Sequence, residues 1–189
     1  MTAASRVALA AVGAALAMAL TACGGTGLST PSPVLTLPAT SAASDPRVGV
    51  SVIEPADRGE PLNLQGTTAD GASIDTSSML GHPVVLNAWA SWCTTCKDEE
   101  PYLLGAYDNL HPDGVSFVGL NVNDDPQARS PYPYPSIVDR NGSLLATIPG
   151  VPPSALPSTV ILDSQGRVAV RVIGALQAGQ LEQLLSQLD

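Results

Sequence analysis

Between Pro83 and Ala90 the chain runs Val-Val-Leu-Asn-Ala-Trp, a nearly unbroken apolar stretch of strand length. Alternation is missing, as it is in a central strand buried on both faces. Val115 to Val122 repeats the pattern and predicts a second buried strand. Thr159 to Asp163 and Val168 to Ile173 flank Ser164-Gln165-Gly166-Arg167, which predicts an antiparallel hairpin. Upstream, Leu62 to Gly66 alternates apolar with polar, Asp70-Gly71 marks a turn and Ala72 to Ile74 resumes, so a smaller hairpin is expected there. Thr76 to Leu80 has the length of one helical turn. A helix should begin at Cys93–Cys96 and run to about Asn109, kinked by Pro101. A second should span Gln177 to Leu188, with Leu181, Leu184, Leu185 and Leu188 on one core-facing stripe. The proline-dense segment from Asn123 to Pro157 leaves room for a short edge strand at Ser136–Asp139 and a turn at Asn141-Gly142. This order of elements implies an α/β fold with a mixed central sheet flanked by helices.

The front of the chain follows different rules. Met1 to Arg6 carries one positive charge, and Val7 to Leu20 is almost wholly Ala, Val, Leu and Met. That run is short for a bilayer span and suits a signal-peptide core. It ends in Leu20-Thr21-Ala22-Cys23, which resembles a bacterial lipobox, where the cysteine is lipidated and becomes the mature N-terminus. Residues 1–22 are therefore expected to be a lipoprotein signal peptide. Residues 23–55, rich in Gly, Ser, Thr, Ala and Pro, read as a flexible tether. Residues 56–189 are left as one compact domain.

Charge narrows the function classes. The formal net charge is −9, with 17 acidic and 8 basic residues, and Lys97 is the lone lysine. This is a poor composition for nucleic-acid binding or for lying on anionic lipid. If a membrane holds the protein, the lipid on Cys23 does so.

With Cys23 assigned to lipid, Cys93 and Cys96 are the free thiols, in the stretch Ser91-Trp92-Cys93-Thr94-Thr95-Cys96-Lys97-Asp98-Glu99-Glu100-Pro101. A structural disulfide is weakly motivated, because so small a loop constrains the unfolded chain little. A structural zinc site needs four ligands, and the chain offers no second Cys pair and only His82 and His111. A copper-binding chaperone using the pair plus one histidine is the alternative from a different class. Peroxidase chemistry is disfavoured, since Ala90 stands where a threonine or serine would be expected.

The run "GHPVVLNAWASWCTTCKDEEP", the later "LPSTVILDSQGRV" and the closing "VIGALQAGQLEQLL" resemble the extracytoplasmic thioredoxin-like proteins of the TlpA/ResA type, from about Leu62 to the C-terminus. The resemblance implies a thioredoxin fold with an N-terminal β-hairpin extension, and a thiol–disulfide oxidoreductase whose redox-active disulfide joins Cys93 and Cys96. No cofactor or metal is implied. At a helix start Cys93 lies near unpaired N–H groups and the positive end of the helix dipole, which favours its thiolate. Cys93 is then the attacking thiol, and Cys96, one turn further in and expected to be more buried, the resolving one. Trp92 is expected to shield the thiols. The family's proline before a strand matches Pro157, which should be cis, with Leu156 offering backbone groups to a substrate. Glu99 matches a family glutamate that helps deprotonate the second cysteine; the alternative is that Asp98, Glu99 and Glu100 form only a solvated acidic turn.

The acids after the pair disfavour a stable thiolate and argue for a reductant over a strong oxidant. ResA-like relatives reduce apocytochrome c thiols, drawing electrons from a membrane thiol transporter. The expected partners are thus thiol or disulfide proteins, apocytochrome c among them, on the extracytoplasmic face of a bacterial cell membrane. A general oxidase or isomerase of secreted proteins is the rival within the same class.

Overall fold

The computed structural model describes residues 49–188. The expected signal peptide, Cys23 and most of the expected tether lie outside the described residues. Eight strands and two α-helices follow in order: β1 (Gly49–Val52), β2 (Gln65–Thr67), β3 (Ser73–Asp75), β4 (Val84–Trp89), α1 (Thr94–Leu110), β5 (Ser116–Val122), β6 (Ser136–Asp139), β7 (Ser158–Leu162), β8 (Val168–Ile173) and α2 (Gln180–Leu185). Short 3₁₀ turns occupy Thr76–Met79, His111–Asp113 and Leu145–Thr147.

Six strands form one sheet in the order β1-β8-β7-β4-β5-β6, and β2 with β3 makes a separate hairpin. The β4–β5 and β5–β6 pairs are parallel; β4–β7, β7–β8 and β1–β8 are antiparallel. All six residues of β4 are buried, because β4 is central and both its faces are covered. Successive side chains point to opposite faces. Val85 and Trp89 accordingly join Leu103 and Ala106 of α1 and Leu181 and Leu184 of α2 in one core cluster. Val84, Leu86 and Ala88 join Leu64, Leu145 and Ile148 in the other. Both α-helices therefore pack on one face, and the lead-in to the hairpin with the 3₁₀ turn at Leu145–Thr147 closes the opposite one.

Two boundaries depart from the sequence expectation. The stretch read as tether to residue 55 includes β1, which pairs with β8 from Gly49↔Ile173 to Val52↔Val170. All four of its residues are exposed, so it carries no core pattern to betray it. The second helix begins at Gln180, not Gln177, because Gly179 before it adopts a positive φ of 70°. Leu181 and Leu184 still reach the core.

Candidate active site

The redox motif lies where β4 ends and α1 begins. Cys93 is the N-cap of α1, with extended backbone (φ −80°, ψ 108°). Its Sγ accepts the Cys96 backbone N–H at 3.2 Å, so a sulfur performs the capping that a Ser or Asp oxygen usually does. The two cysteines are joined as a disulfide with Cα atoms 5.3 Å apart. Exposure does not separate them: Cys93 is 4% and Cys96 3% accessible. Cys96, expected to be the more buried, is so by a margin too small to divide the labour between the thiols. What distinguishes the sulfurs is electrostatic, since Cys93 Sγ takes the helix N–H and the adjacent Thr95 Oγ1 at 3.5 Å.

Glu99 is fully buried and is no part of a solvated turn, whereas neighbouring Asp98 is exposed. It stands three residues after Cys96, which puts both on one face of α1. Its Oε1 accepts from Asn87 Nδ2 of β4 at 3.0 Å, and its Oε2 from the Leu176 backbone N–H at 3.0 Å. Burial pushes the Glu99 carboxyl up to about 7, against the lowering effect of those two hydrogen bonds. Asn87 Oδ1 has no hydrogen-bond partner among the described residues. A protonated Glu99 can supply the missing donor if the Asn87 amide turns over. The site therefore holds a carboxyl able to exchange a proton near neutral pH, one helical turn behind the disulfide.

The loop carrying Trp92 is held from outside the motif. Asp124, just beyond β5, accepts from Ser91 N–H, from Ser91 Oγ (2.8 Å), from Asn121 Nδ2 (2.8 Å) and from Asp125 N–H (2.8 Å). Burial raises the Asp124 carboxyl, but these hydrogen bonds outweigh it and hold the group below the usual aspartate range. Trp92 Nε1 donates to Asn123 O at 3.1 Å, and Asn123 adopts a left-handed φ of 50°, which Asn tolerates better than most residues. Trp92 remains 60% exposed. Trp89 by contrast is core, bonded to Ser136 Oγ at 3.2 Å and edge-on to Tyr132. Sequence reasoning missed Asp124; its signal was its place just past the end of a buried strand parallel to the one that leads into the motif.

Pro157 completes the neighbourhood. The Leu156–Pro157 peptide bond is cis. The β4–β7 register ends at Ala88↔Ser158, so its continuation carries Pro157 toward Trp89 and the start of the motif. Leu156 packs against the same cluster that contains Cys93 and Cys96. Of the histidines weighed as co-ligands, His111 caps the C-terminal end of α1, stacks on Tyr107 and meets Val115 O at 3.2 Å, and the His82 ring lies beside Gly114.

A mixed sheet of this topology with a disulfide at the entrance of its first long helix defines a thioredoxin-fold thiol–disulfide oxidoreductase. The chain belongs to the Redoxin family, which matches residues 38–187. It is 31% identical to the thiol:disulfide interchange protein DsbE of Vibrio cholerae, over 67% of this chain and 69% of that protein. It is 27% identical to the thiol-disulfide oxidoreductase ResA of Bacillus thuringiensis, over 68% of this chain and 76% of that one. Among solved structures it resembles a DsbF homologue from Corynebacterium diphtheriae, with a TM-score of 0.68 and 27% identity, over 74% of this chain and 93% of that chain.

Proposed function

We propose that this thiol–disulfide oxidoreductase is a lipid-anchored, extracytoplasmic reductant, with the apocytochrome c disulfide as its substrate, which it returns to thiols, and a membrane thiol transporter as its electron donor. The observation that carries the direction is the buried Glu99 behind Cys96. A carboxylate there, together with partly exposed Glu100, opposes a second negative charge on the redox pair. Tyr132 and Tyr134 feel the same field: burial first pushes both phenols upward, then Glu99 and Glu100 for Tyr132, and Tyr132 followed by Glu99 and Glu100 for Tyr134. A less stable thiolate makes a weaker oxidant. In this reading Cys93 attacks the substrate disulfide, Cys96 resolves the mixed disulfide, and Glu99 takes the Cys96 proton. Leu156 and Pro157 present backbone to the substrate, and Trp92 offers an exposed aromatic surface beside it.

Equilibration with thiol–disulfide buffers tests the direction. A reduction potential near that of thioredoxin, about −270 mV, is expected; one near about −120 mV overturns the reductant reading in favour of a general oxidase. Anchoring is tested by mass spectrometry of the mature N-terminus. An acylated Cys23 is expected, and an unmodified N-terminus away from Cys23 rejects it.

A further inference from the structure

A cavity of about 270 Å³ opens between the end of β4, the first turn of α1 and the segment after β5. Cys96 lines it and Cys93 does not. Trp89 and Tyr132 form apolar walls, and the charged groups on it are Lys97, Arg129 and Glu100. Two cations and one carboxylate leave a local excess of one positive charge, in a chain whose net charge is −9. The chain's lone lysine is one of the two, and both cationic residues are solvent-exposed.

We propose that this cavity is a port through which a low-molecular-weight anionic thiol reduces the oxidised protein by attacking Cys96. The proposal rests on the thiol–disulfide reading above and assigns a second substrate class to the same redox pair. Its volume lies near the lower end for small-molecule sites, which fits a thiol with a short acidic tail and no folded protein. Thiol–disulfide exchange is faster when the departing sulfur is the better-stabilised thiolate. Attack on Cys96 expels Cys93, the sulfur that already accepts the helix N–H of Cys96. The thiolate RS⁻ forms an RS–S bond to Cys96, the Cys93–Cys96 bond breaks, and Cys93 leaves as a thiolate. A second RS⁻ then attacks the RS sulfur of that adduct, releasing RSSR and the Cys96 thiolate, which takes up a proton. Two thiols are oxidised and one protein disulfide is reduced by two electrons. Ordinarily the inner cysteine of such a pair escapes attack because nothing can reach it; here Cys96, only 3% accessible, borders the cavity, which is its route to solvent in this proposal.

The test compares mercaptoethanesulfonate with cysteamine as reductants of the purified oxidised protein. Thiolate concentrations are matched, and each rate is divided by that thiol's rate with a small neutral disulfide. The anionic thiol is expected to win by about fivefold at low salt, from a single favourable charge contact near the surface. Arg129→Ala should erase most of that advantage by slowing the anionic thiol, and should speed cationic cysteamine if it changes it at all. In Cys93→Ser, native Cys96 should react faster with sulfonatoethyl methanethiosulfonate than with its trimethylammonium analogue. Equal rates for the two thiols, a wild-type adduct mapped by rapid acid quench to Cys93, or a Cys96 that labels only in denaturant each overturn the port. Acceleration of insulin reduction by dithiothreitol separates the two readings. Without that activity the oxidoreductase reading fails; with it and no charge discrimination, only the port fails.

Discussion

Replacing Glu99 by glutamine should flatten a fall in stability that the native protein undergoes between weakly acid and neutral pH. Glu99 titrates at about 7 in the folded chain against an ordinary value of 4.5. The folded state therefore binds this proton more tightly than the unfolded one. Stability from Glu99 is full below about pH 4.5 and is lost as pH rises, until both states are deprotonated above about 7. Integrating between those values, the oxidised protein should lose about 2.5 kcal/mol from pH 5 to pH 8 through this group alone. Glutamine cannot ionise. It keeps an oxygen for the Leu176 N–H and, once the Asn87 amide turns over, can offer its amide N–H to Asn87 Oδ1 in place of the present Asn87 Nδ2 to Glu99 Oε1 hydrogen bond. Urea unfolding of both proteins at pH 5, 6, 7 and 8, with the disulfide intact, gives the comparison; groups common to both cancel in the difference. The variant should gain on the native protein steadily with pH and exceed it by pH 8. Parallel stability curves would show that Glu99 ionises normally, and the argument from burial would be wrong.

Cys96→Ser should accumulate mixed disulfides with protein partners on non-reducing gels, while Cys93→Ser should accumulate few; the reverse pattern would defeat the helix-terminus argument. Asp124→Ala removes the acceptor for Ser91 and Asn121 and should cost about 1–2 kcal/mol in urea unfolding, with an altered reduction potential, since the freed loop carries the motif. A potential equal to the native one would show that the loop holds its geometry without Asp124. Gly119→Ala in β5 would drive a Cβ to 2.1 Å from Ser136 Oγ and 3.0 Å from Trp89 Nε1, so a loss of about 1–3 kcal/mol is expected by thermal or urea unfolding. Glu99→Gln should also slow resolution more than attack in stopped-flow measurements of substrate reduction.

The parts of the fold visible in the sequence are those whose surroundings are uniform. Val84 to Trp89 is buried on both faces, so it is apolar throughout and announces itself. The Val168–Ile173 hairpin is set by a local turn and needs nothing distant. β1 is the opposite case: its partner strand is β8, far along the chain, and its own side chains face solvent. The cysteine motif was plain, but the state of Glu99 was not. Among Asp98, Glu99 and Glu100 nothing in composition singles out the middle acid; its burial comes from Asn87 and from Leu176, 77 residues away. Near-equal burial of the two cysteines was also invisible, because helix position fixes which N–H a sulfur meets but not how loops cover it.

The Asp124 contacts to Ser91 bind the motif to residues 33 positions downstream. In evolutionary terms the two segments are one inherited unit. A recombination breakpoint anywhere between Cys96 and Val122 would join a redox loop to a clamp that was never selected with it. Chimeras of this family built by exchanging Ser91–Glu100 alone should therefore carry the donor's cysteines and inner dipeptide but the recipient's loop geometry. Insertions in Asn123–Asp125 should be as rare among working relatives as insertions inside the motif itself.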